Sequence, residues 1–419
     1  MDAGKTFDVV VLGGGVAGVS AAMAAAKEGA DTVLIERLGW LGGMVTGAYV
    51  VALCGMWDGH LGTHQVVRGN FTRITDRAVQ EKVAEWTKWN RHCKKGRGRE
   101  VTVDPEGFKW LLDTMLMESG ATLMLHSPIV AAYLDPDQVI RGVQIIGEEQ
   151  NRFVYGKVFI DCTGDGESAE WVGLTSVPPI SADEVVSMGL RIGGVDAARA
   201  VTDKDHPAPM VSCGRHTFSA DGWLSLVNGR GELFFDCLAL RDCYHLTVED
   251  LTRAEVHGRH FAHHAISQLR KYPGFKNAYL ISTGPTLGAR KPRAVLTRYY
   301  LSDEDENQHH EDSIAVAGNV CKDHGAMEIP YRCLLPKKVS NLLLAGRTFT
   351  PQHSGPGRAS GRNFTGYEIP RLVAPCVATG EAAGVAAALA AKAGITCDKV
   401  DVKLLQERLA ARGAVYKQP

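Results

Sequence analysis

The fold is decided by the stretch Phe7-Asp8-Val9-Val10-Val11-Leu12-Gly13-Gly14-Gly15-Val16-Ala17-Gly18 near the start of the chain. Its apolar, mostly β-branched first half predicts a buried strand that runs directly into the pattern Gly-x-Gly-x-x-Gly. An alanine-rich helical segment follows, and then a short apolar stretch, Thr32–Ile35, which is closed by Glu36. A strand, a glycine turn, a helix and a second strand ending at an acid make up the βαβ unit that binds dinucleotides.

Each conspicuous residue of this unit has a physical role. Gly13 permits the tight turn, Gly15 lets the backbone approach a pyrophosphate, and Gly18 lets the helix pack close to the strand. The helix N-terminus offers N–H groups and a partial positive charge to that pyrophosphate. Glu36 is placed to accept hydrogen bonds from both ribose hydroxyls of an adenosine, and an acid here argues against NADP. The pattern alone does not separate FAD from NAD.

Composition sets the broad class of protein. The 419 residues, 45% of them hydrophobic, are enough for two or three domains of about 150 residues each. A formal net charge of −1 gives no electrostatic case for nucleic acid or an acidic membrane as a partner. The ten cysteines include no Cys-x-x-Cys pair, which argues against a zinc or iron–sulfur site. Residues 7–26 are the one long apolar run that we identify, and their glycines favour strand–turn–helix over a membrane span. We therefore predict a soluble cytoplasmic protein with no metal.

Three segments share one form, a buried strand that ends in a glycine turn: Gly13–Gly18, Thr163–Gly166 and Ala345–Gly346. In a doubly wound sheet such turns meet at the carboxyl edge of the strands, where ligands bind. Asp104 followed by Pro105 predicts the start of a helix, and a second helix is predicted near 247–271. The change of character after residue 177 predicts an inserted unit, so we divide the chain into 1–177, 178–300 and 301–419.

With these motifs in place, the sequence resembles the bacterial FAD-dependent oxidoreductases of the glutathione-reductase-type fold, which are related to fumarate reductase and thiazole-biosynthesis flavoproteins. The resemblance covers residues 6–175 and 285–395. It implies an α/β fold: 1–177 and 301–419 would form an FAD-binding, Rossmann-like domain, and 178–300 a smaller α+β substrate or cap domain. Because several ordered motifs agree, FAD is favoured over NAD as the cofactor.

The resemblance also implies which residues contact the cofactor. A helix expected to open at Thr379-Gly380 would point its N-terminus at the flavin, where negative charge develops on reduction. The implied FAD contacts are Gly13, Gly15, Val16, Ala17, Gly18, Glu36, Arg37, Gly42, Gly43, Met44, Val130, Thr163, Gly164, Asp165, Gly346, Arg347, Thr379 and Gly380.

Catalytic residues are expected between Arg347 and Arg371, where the chain carries a Gly/Ser/Pro-rich insertion relative to the family. His353 in this insertion is a candidate general acid or base, or a loop histidine that only hydrogen-bonds, and His324 is its rival. Arg371 would complete the pair with His353. Guanidinium forks for a carboxylate substrate are offered by Arg290, Arg358 and Arg362, which could equally pair with the protein's own acids or with FAD phosphate.

Other patterns have a structural and a functional interpretation. His257, His260 and His264 share a helix face and could hold a metal, although a surface helix is favoured. The basic run Arg91–Arg99 could bind a polyanion, although a solvated loop is favoured. Cys162 is expected to pack behind its turn rather than to act as a redox thiol.

The expected function is two-electron hydride transfer between a small organic substrate and flavin N5, as in a dehydrogenase or oxidase. A second Gly-x-Gly-x-x-Gly after a strand is not found, so O2 or a separate electron carrier would reoxidise the flavin. The alternatives are a flavin-dependent monooxygenase and, from another class, an RNA-modifying or nucleic-acid-binding flavoprotein.

Overall fold

The structure is a computed structural model of the chain. It describes residues 5–58, 64–87, 100–148, 151–176, 186–196, 199, 210–213, 216–219, 224–226, 231–240, 247–289, 294–318, 325–349 and 370–418.

Helices within these ranges are numbered in chain order: α1 (Val16–Lys27), α2 (Met44–Gly47), α3 (Asn70–Gln80), α4 (Pro105–Glu118), α5 (Glu167–Trp171), α6 (Val248–Leu269), α7 (Val373–Ala393) and α8 (Val402–Ala411). Short 3-10 helices cover Asp303–Asp305, Tyr331–Leu334, Gly346–Phe349 and Cys397–Lys399. The strands are β1 (Thr6–Leu12), β2 (Thr32–Ile35), β3 (Ala52–Leu53), β4 (Ala84–Thr87), β5 (Glu100–Val103), β6 (Thr122–Met124), β7 (Ile129–Leu134), β8 (Ile140–Ile146), β9 (Asn151–Asp161), β10 (Thr175–Ser176), β11 (Val186–Gly193), β12 (Met210–Cys213), β13 (His216–Ser219), β14 (Leu224–Leu226), β15 (Leu233–Leu240), β16 (Tyr279–Thr283), β17 (Gly288–Ala289), β18 (Ala294–Val295), β19 (Ser313–Ala317), β20 (Met327–Pro330) and β21 (Leu342–Leu344).

The central sheet confirms the βαβ unit predicted at the amino terminus. Its order is β6-β2-β1-β9-β8-β7, and β21 also pairs with β9. Strands β6, β2, β1, β9 and β21 are parallel, and β7, β8 and the first half of β9 form an antiparallel meander. The last residues of four strands align across the sheet, since Leu12 pairs with Ile35 and Asp161, and Asp161 pairs with Leu344. The three glycine turns therefore leave the sheet at one edge, as predicted.

Helix α7 packs against α1 over the central sheet. A Cβ atom built on Gly380 or Gly384 would overlap the carbonyl oxygen of Ala17 or Ala21, so both positions need glycine for this close approach. The prediction that the helix opens at Thr379 is wrong, because α7 begins two turns earlier, at Val373. Pro375 is tolerated there because the N–H of a first-turn residue has no partner within the helix in any case.

Helix α7 also corrects the statement that residues 7–26 are the one long apolar run. Of the described helices, Val373–Ala393 has the length and apolar composition of a membrane span. In this fold, 89% of its most apolar window is buried, which is the environment of a core helix in a globular domain.

A second hydrophobic core lies apart from the first. Its buried side chains come from β11, β15, α6 and the connection after α6, and they include Met188, Phe235, Phe261 and Phe275. The helix predicted near 247–271 is confirmed as α6, whose N-cap, Thr247, accepts a hydrogen bond from the Asp250 N–H. The exact domain boundaries at 177 and 300 stay predictions.

Candidate functional site

A cleft of about 420 Å³ runs along the carboxyl edge of the central sheet. Such a volume is within the usual range for small-molecule and cofactor sites. One end lies beside Glu36 and includes Ser127, whose N–H donates to the Glu36 carbonyl oxygen. The other end is formed by α2 and by the first turn of α7. The cleft therefore spans the sheet from the end of β2 to the turn that follows β21.

The turn after β1 forms the middle of the cleft. Gly13 has φ +98°, and a Cβ atom there would lie 2.8 Å from the Cys162 carbonyl oxygen, so the turn requires glycine. The Gly42 N–H donates to the Gly14 carbonyl oxygen at 2.9 Å and brings the second glycine loop alongside. The N-cap of α1 is Gly15, which has no side chain to cap the helix. The first N–H groups of α1 are thus presented at a bare backbone surface, the arrangement that binds phosphate groups.

Glu36 is fixed at the end of β2 by two backbone groups. Its Oε2 accepts from the Gly14 N–H at 2.5 Å and its Oε1 accepts from the Leu38 N–H at 2.8 Å. Burial raises the pKa of this carboxyl, although both hydrogen bonds oppose the shift. Each oxygen keeps a lone pair that can accept from a ligand hydroxyl, as the predicted ribose contact requires.

The turn after β9 is organised by Asp161, which is fully buried. Its carboxylate accepts from the Thr163 N–H at 2.9 Å, from the Thr163 hydroxyl at 2.7 Å and from the Ser168 hydroxyl. Burial raises the pKa of Asp161, while these hydrogen bonds act in the opposite direction. Sequence analysis assigned no role to this acid, although a carboxylate at the end of an otherwise apolar strand was the signal for one.

Arg347 connects this turn to the second core. Its Nη2 donates to Asp165 Oδ1 at 2.7 Å, and its Nη1 donates to the Ala289 carbonyl oxygen. Both charged side chains are nearly buried, which makes breaking the pair costly. Arg347 thus lines the cleft while it holds the walls of the cleft together.

Fourteen of the predicted site residues line the cleft. They are Gly13, Gly15, Val16, Ala17, Glu36, Arg37, Gly42, Gly43, Met44, Thr163, Gly164, Asp165, Arg347 and Arg371. His324, His353, Arg290, Arg358 and Arg362 lie outside the described residues, as does the basic run Arg91–Arg99. Their predicted roles remain predictions.

Five predicted FAD contacts lie away from the lining for packing reasons. A Cβ atom on Gly18 would overlap the Gly13 carbonyl oxygen, so Gly18 serves the close packing of α1. Val130 is 40% exposed and lies at a register shift between Ile129 and Ala131, and its neighbour Ile129 lines the cleft instead. Thr379 is buried within α7 and accepts from the Gly346 N–H at 3.1 Å. Gly346 and Gly380 both pack against Ala17.

The structure also brings unpredicted residues to the cleft. They are Trp40, Ser127, Pro128, Ile129, Glu170, Trp171, Thr286, Val373 and Cys376, together with nearby residues of the predicted loops. Burial raises the pKa of Cys376 to about 12 and raises that of Cys162 well above its ordinary value, so both thiols are protonated near neutral pH. Cys162 lines the cleft in this unreactive form, consistent with the packing role expected for it.

His257, His260 and His264 are exposed along α6. In the ranges that the structure covers, no group of three or more potential ligands is arranged to hold a metal ion.

Several observations fit the cleft to FAD. The glycine loops meet so closely that a Cβ atom on Gly43 would lie 2.9 Å from the Gly15 Cα. A Cβ atom on Gly15 itself would meet only the Gly43 Cα, at 3.9 Å, so this position faces the open cleft. Within the described structure, the buried Nε1 of Trp40 and the buried hydroxyl of Thr286 have no hydrogen-bond partner, and both residues line the cleft. Glu36 would hold the adenosine ribose, the α1 N-terminus the diphosphate, and the α7 end the flavin ring.

Comparison with known proteins agrees with this geometry. Residues 8–409 match the family model described as FAD dependent oxidoreductase. No curated protein sequence matches the chain.

Among solved structures, the fold is similar to that of CabE, an aromatic hydroxylase from angucycline biosynthesis, with 12% identity and a TM-score of 0.50 over 98% of this chain and 70% of that one. It is also similar to the flavin-dependent monooxygenase PieE in complex with FAD and substrate, with 11% identity and a TM-score of 0.50 over 93% of this chain and 58% of that one. A geranylgeranyl bacteriochlorophyll reductase-like protein from Thermoplasma acidophilum matches with 16% identity and a TM-score of 0.49, over 98% of this chain and 84% of that one.

The family model spans nearly the whole chain, and the cleft carries the glycine turns and the acid that FAD requires. The chain therefore belongs to the FAD-dependent oxidoreductase family.

Proposed function

We propose that this FAD-dependent oxidoreductase acts on a small organic molecule with a carboxylate, bound at the α7 end of the cleft. The observation that carries the proposal is the position of Arg371, a half-buried cleft residue that lies just before the N-terminus of α7. The first turn of that helix contains no acidic residue. A guanidinium and the positive end of a helix dipole next to each other favour an anion.

The flavin supplies the two-electron redox chemistry when it is bound. The protein contributes position and charge. Val373 and Cys376 line the same end, and the Cys376 thiol stays neutral there because burial raises its pKa to about 12. The positive end of α7 would stabilise negative charge on the reduced ring. His353, with His324 as the alternative, is proposed as the group that takes the substrate proton.

Two reactions are compatible with this site. One is hydride transfer between a substrate C–H bond and flavin N5, as in a dehydrogenase or oxidase. The other is monooxygenation with O2 as the oxidant and NADH as the reductant. CabE and PieE, described as a hydroxylase and a monooxygenase, give the second reaction at least as much support as the first. Because the identities are 11–12%, this support rests on the fold alone.

One set of measurements separates the two reactions. The purified FAD-loaded protein is mixed without oxygen with a panel of hydroxy acids, amines and sugars, and bleaching of the flavin absorbance is followed. If a hydroxy acid of the panel bleaches the flavin absorbance, the result supports hydride transfer from that acid. NADH-driven O2 uptake that depends on an organic acid and yields an oxygenated product supports monooxygenation. If the protein responds to neutral substrates and to no acid, the proposed carboxylate site is wrong.

A matched pair of variants tests Arg371 itself. Arg371→Met removes the charge, whereas Arg371→Lys keeps the charge and loses the guanidinium fork. We expect KM for the acid substrate to rise about 10- to 100-fold in the Met variant, as for a lost charge-assisted hydrogen bond. A smaller rise is expected for Lys. Equal KM values in all three proteins would rule out a substrate contact.

The proposed partners are a small-molecule substrate and either O2 or a separate electron carrier, with the cytoplasm as the proposed location. A nucleic-acid partner for Arg91–Arg99 is the alternative. Nucleic acid that stays with the protein through purification at moderate salt would support that alternative. A low ratio of absorbance at 260 nm to that at 280 nm, after correction for flavin, would oppose it.

A further inference from the structure

The segment 284–289 of the second domain lies beside the cleft, between α2 and Arg347. At one wall, the Thr286 N–H donates to the Gly47 carbonyl oxygen at 3.1 Å. At the other wall, the Ala289 carbonyl oxygen accepts from Arg347. The segment begins at Gly284, whose N–H donates to the Gly189 carbonyl oxygen at 2.8 Å. The backbone of segment 284–289 is thus held by hydrogen bonds to both domains.

Thr286 is the residue that this segment presents to the cleft. Of the second-domain residues that the structure describes, it alone belongs to the lining. Its hydroxyl oxygen is buried and makes no hydrogen bond to any residue in the described ranges. A buried hydroxyl without a partner costs about 1–3 kcal/mol, so native proteins rarely keep one unless a ligand or an ordered water satisfies it.

The position of Thr286 indicates which part of the cofactor it meets. Thr286 packs against Gly47, the last residue of α2, and α2 begins directly after Gly43. Gly43 lies against Gly15 at the diphosphate turn. Helix α2 rises about 6 Å over its four residues. Thr286 therefore lies about 6 Å along α2 from the glycine loop at which the diphosphate is expected. The part of FAD beyond the diphosphate must pass this point to reach the α7 end.

We infer that the Thr286 hydroxyl hydrogen-bonds the flavin half of bound FAD and is a contact through which the second domain holds the cofactor. A hydroxyl can donate and accept, so one side chain serves both the oxidised ring and the reduced ring, whose N5 changes from acceptor to donor. The inference depends on FAD as the cofactor. It does not depend on the identity of the substrate or on the choice between hydride transfer and monooxygenation.

The test compares FAD with ADP, which occupies only the adenosine and diphosphate parts of the cleft. Thr286→Val keeps the branched shape and deletes the hydroxyl, and Thr286→Ser keeps the hydroxyl. We expect Thr286→Val to raise the Kd for FAD about 2- to 10-fold and to leave the Kd for ADP unchanged. The Ser variant should bind FAD like the wild type. Both constants are measured by titration of the apoprotein, without substrate.

Thr283→Val is the matched control, because Thr283 ends β16 three residues earlier and does not line the cleft. Thr286→Ala repeats the deletion if the Val side chain lowers the thermal unfolding midpoint. Unchanged FAD binding in the Thr286 variants that lack the hydroxyl overturns the inference. An equal loss of affinity for FAD and ADP also overturns the inference, as does an equal loss of FAD affinity in Thr283→Val. Each of these results indicates a structural effect of the substitution. An unchanged Kd for ADP with weakened FAD binding, restored by Ser, supports it.

Discussion

Replacement of Gly15 by valine should separate cofactor binding from folding. Gly15 has φ −66° and ψ 176°, a conformation that valine adopts readily. A Cβ atom there would meet only the Gly43 Cα, at 3.9 Å, so the side chain extends into the cleft where the diphosphate is expected. We therefore expect the Gly15→Val apoprotein to fold normally and to lose its affinity for FAD.

The size of the loss follows from the contacts that the side chain would block. The phosphates would be displaced from the N–H groups at the start of α1, and each charge-assisted hydrogen bond is worth about 1.5–3 kcal/mol. Loss of two such bonds weakens FAD binding by about 3–6 kcal/mol, which is about 10²- to 10⁴-fold in Kd. The assay is titration of apoprotein with FAD, followed by flavin fluorescence, beside a thermal unfolding curve without FAD.

Gly18→Ala is the matched control. A Cβ atom on Gly18 would overlap the Gly13 carbonyl oxygen, so this smaller substitution should lower the stability of the apoprotein by about 1–3 kcal/mol. The two variants are thus expected to fail in different assays. FAD binding by Gly15→Val within threefold of wild type would refute the placement of the diphosphate. If the Gly15→Val apoprotein unfolds at the same temperature as the Gly18→Ala apoprotein, the claim that a side chain at position 15 extends into open space is refuted.

Three further predictions concern the cleft. Glu36→Gln should weaken FAD binding about tenfold in a titration. In this variant either the Gly14 N–H or the Leu38 N–H would face an amide nitrogen, and the ribose would lose a charged acceptor. An affinity equal to that of the wild type would contradict the ribose contact. Cys376 should resist alkylation by iodoacetamide at pH 8 in the folded protein, since a pKa of about 12 leaves about one thiol in 10⁴ as thiolate. The alkylation rate should rise with pH until the pH reaches this pKa. Rapid labelling at pH 8, seen by mass spectrometry, would contradict the burial of Cys376. His353→Ala should slow flavin reduction by substrate and leave the FAD content unchanged, and stopped-flow traces like those of wild type would remove His353 from catalysis.

Much of the central sheet could be predicted from the sequence because its signals lie in consecutive residues. A run such as Val9–Leu12 followed by Gly13 predicts a strand and a glycine turn, and Gly13 indeed has a positive φ. Glu36 was found for the same reason, since the acid comes directly after β2. The shared edge of the three glycine turns then followed from the geometry of parallel strands.

Helix boundaries and side-chain directions were harder to predict. The helix start was placed at Thr379, where the alanine-rich segment begins, but α7 starts at Val373, and Pro375 is harmless there because it lies in the first turn. Val130 was assigned to the cleft, yet its neighbour Ile129 lines it. The pairing of β7 shifts register between Ile129 and Ala131, and no pattern in the sequence marks such a local irregularity.

The sequence by itself determined that the cofactor is a dinucleotide and which strand–turn–helix unit binds it, because that recognition depends on glycines and an acid at fixed spacing along one segment. Only the tertiary structure decided that Thr286 meets Gly47, that Arg347 joins Asp165 to Ala289, and that the first turn of α7 closes the cleft. The hydrogen bonds among them join residues that are 58 to 239 positions apart. Their geometry is set by how helices and sheets pack, and no local pattern of residues specifies it.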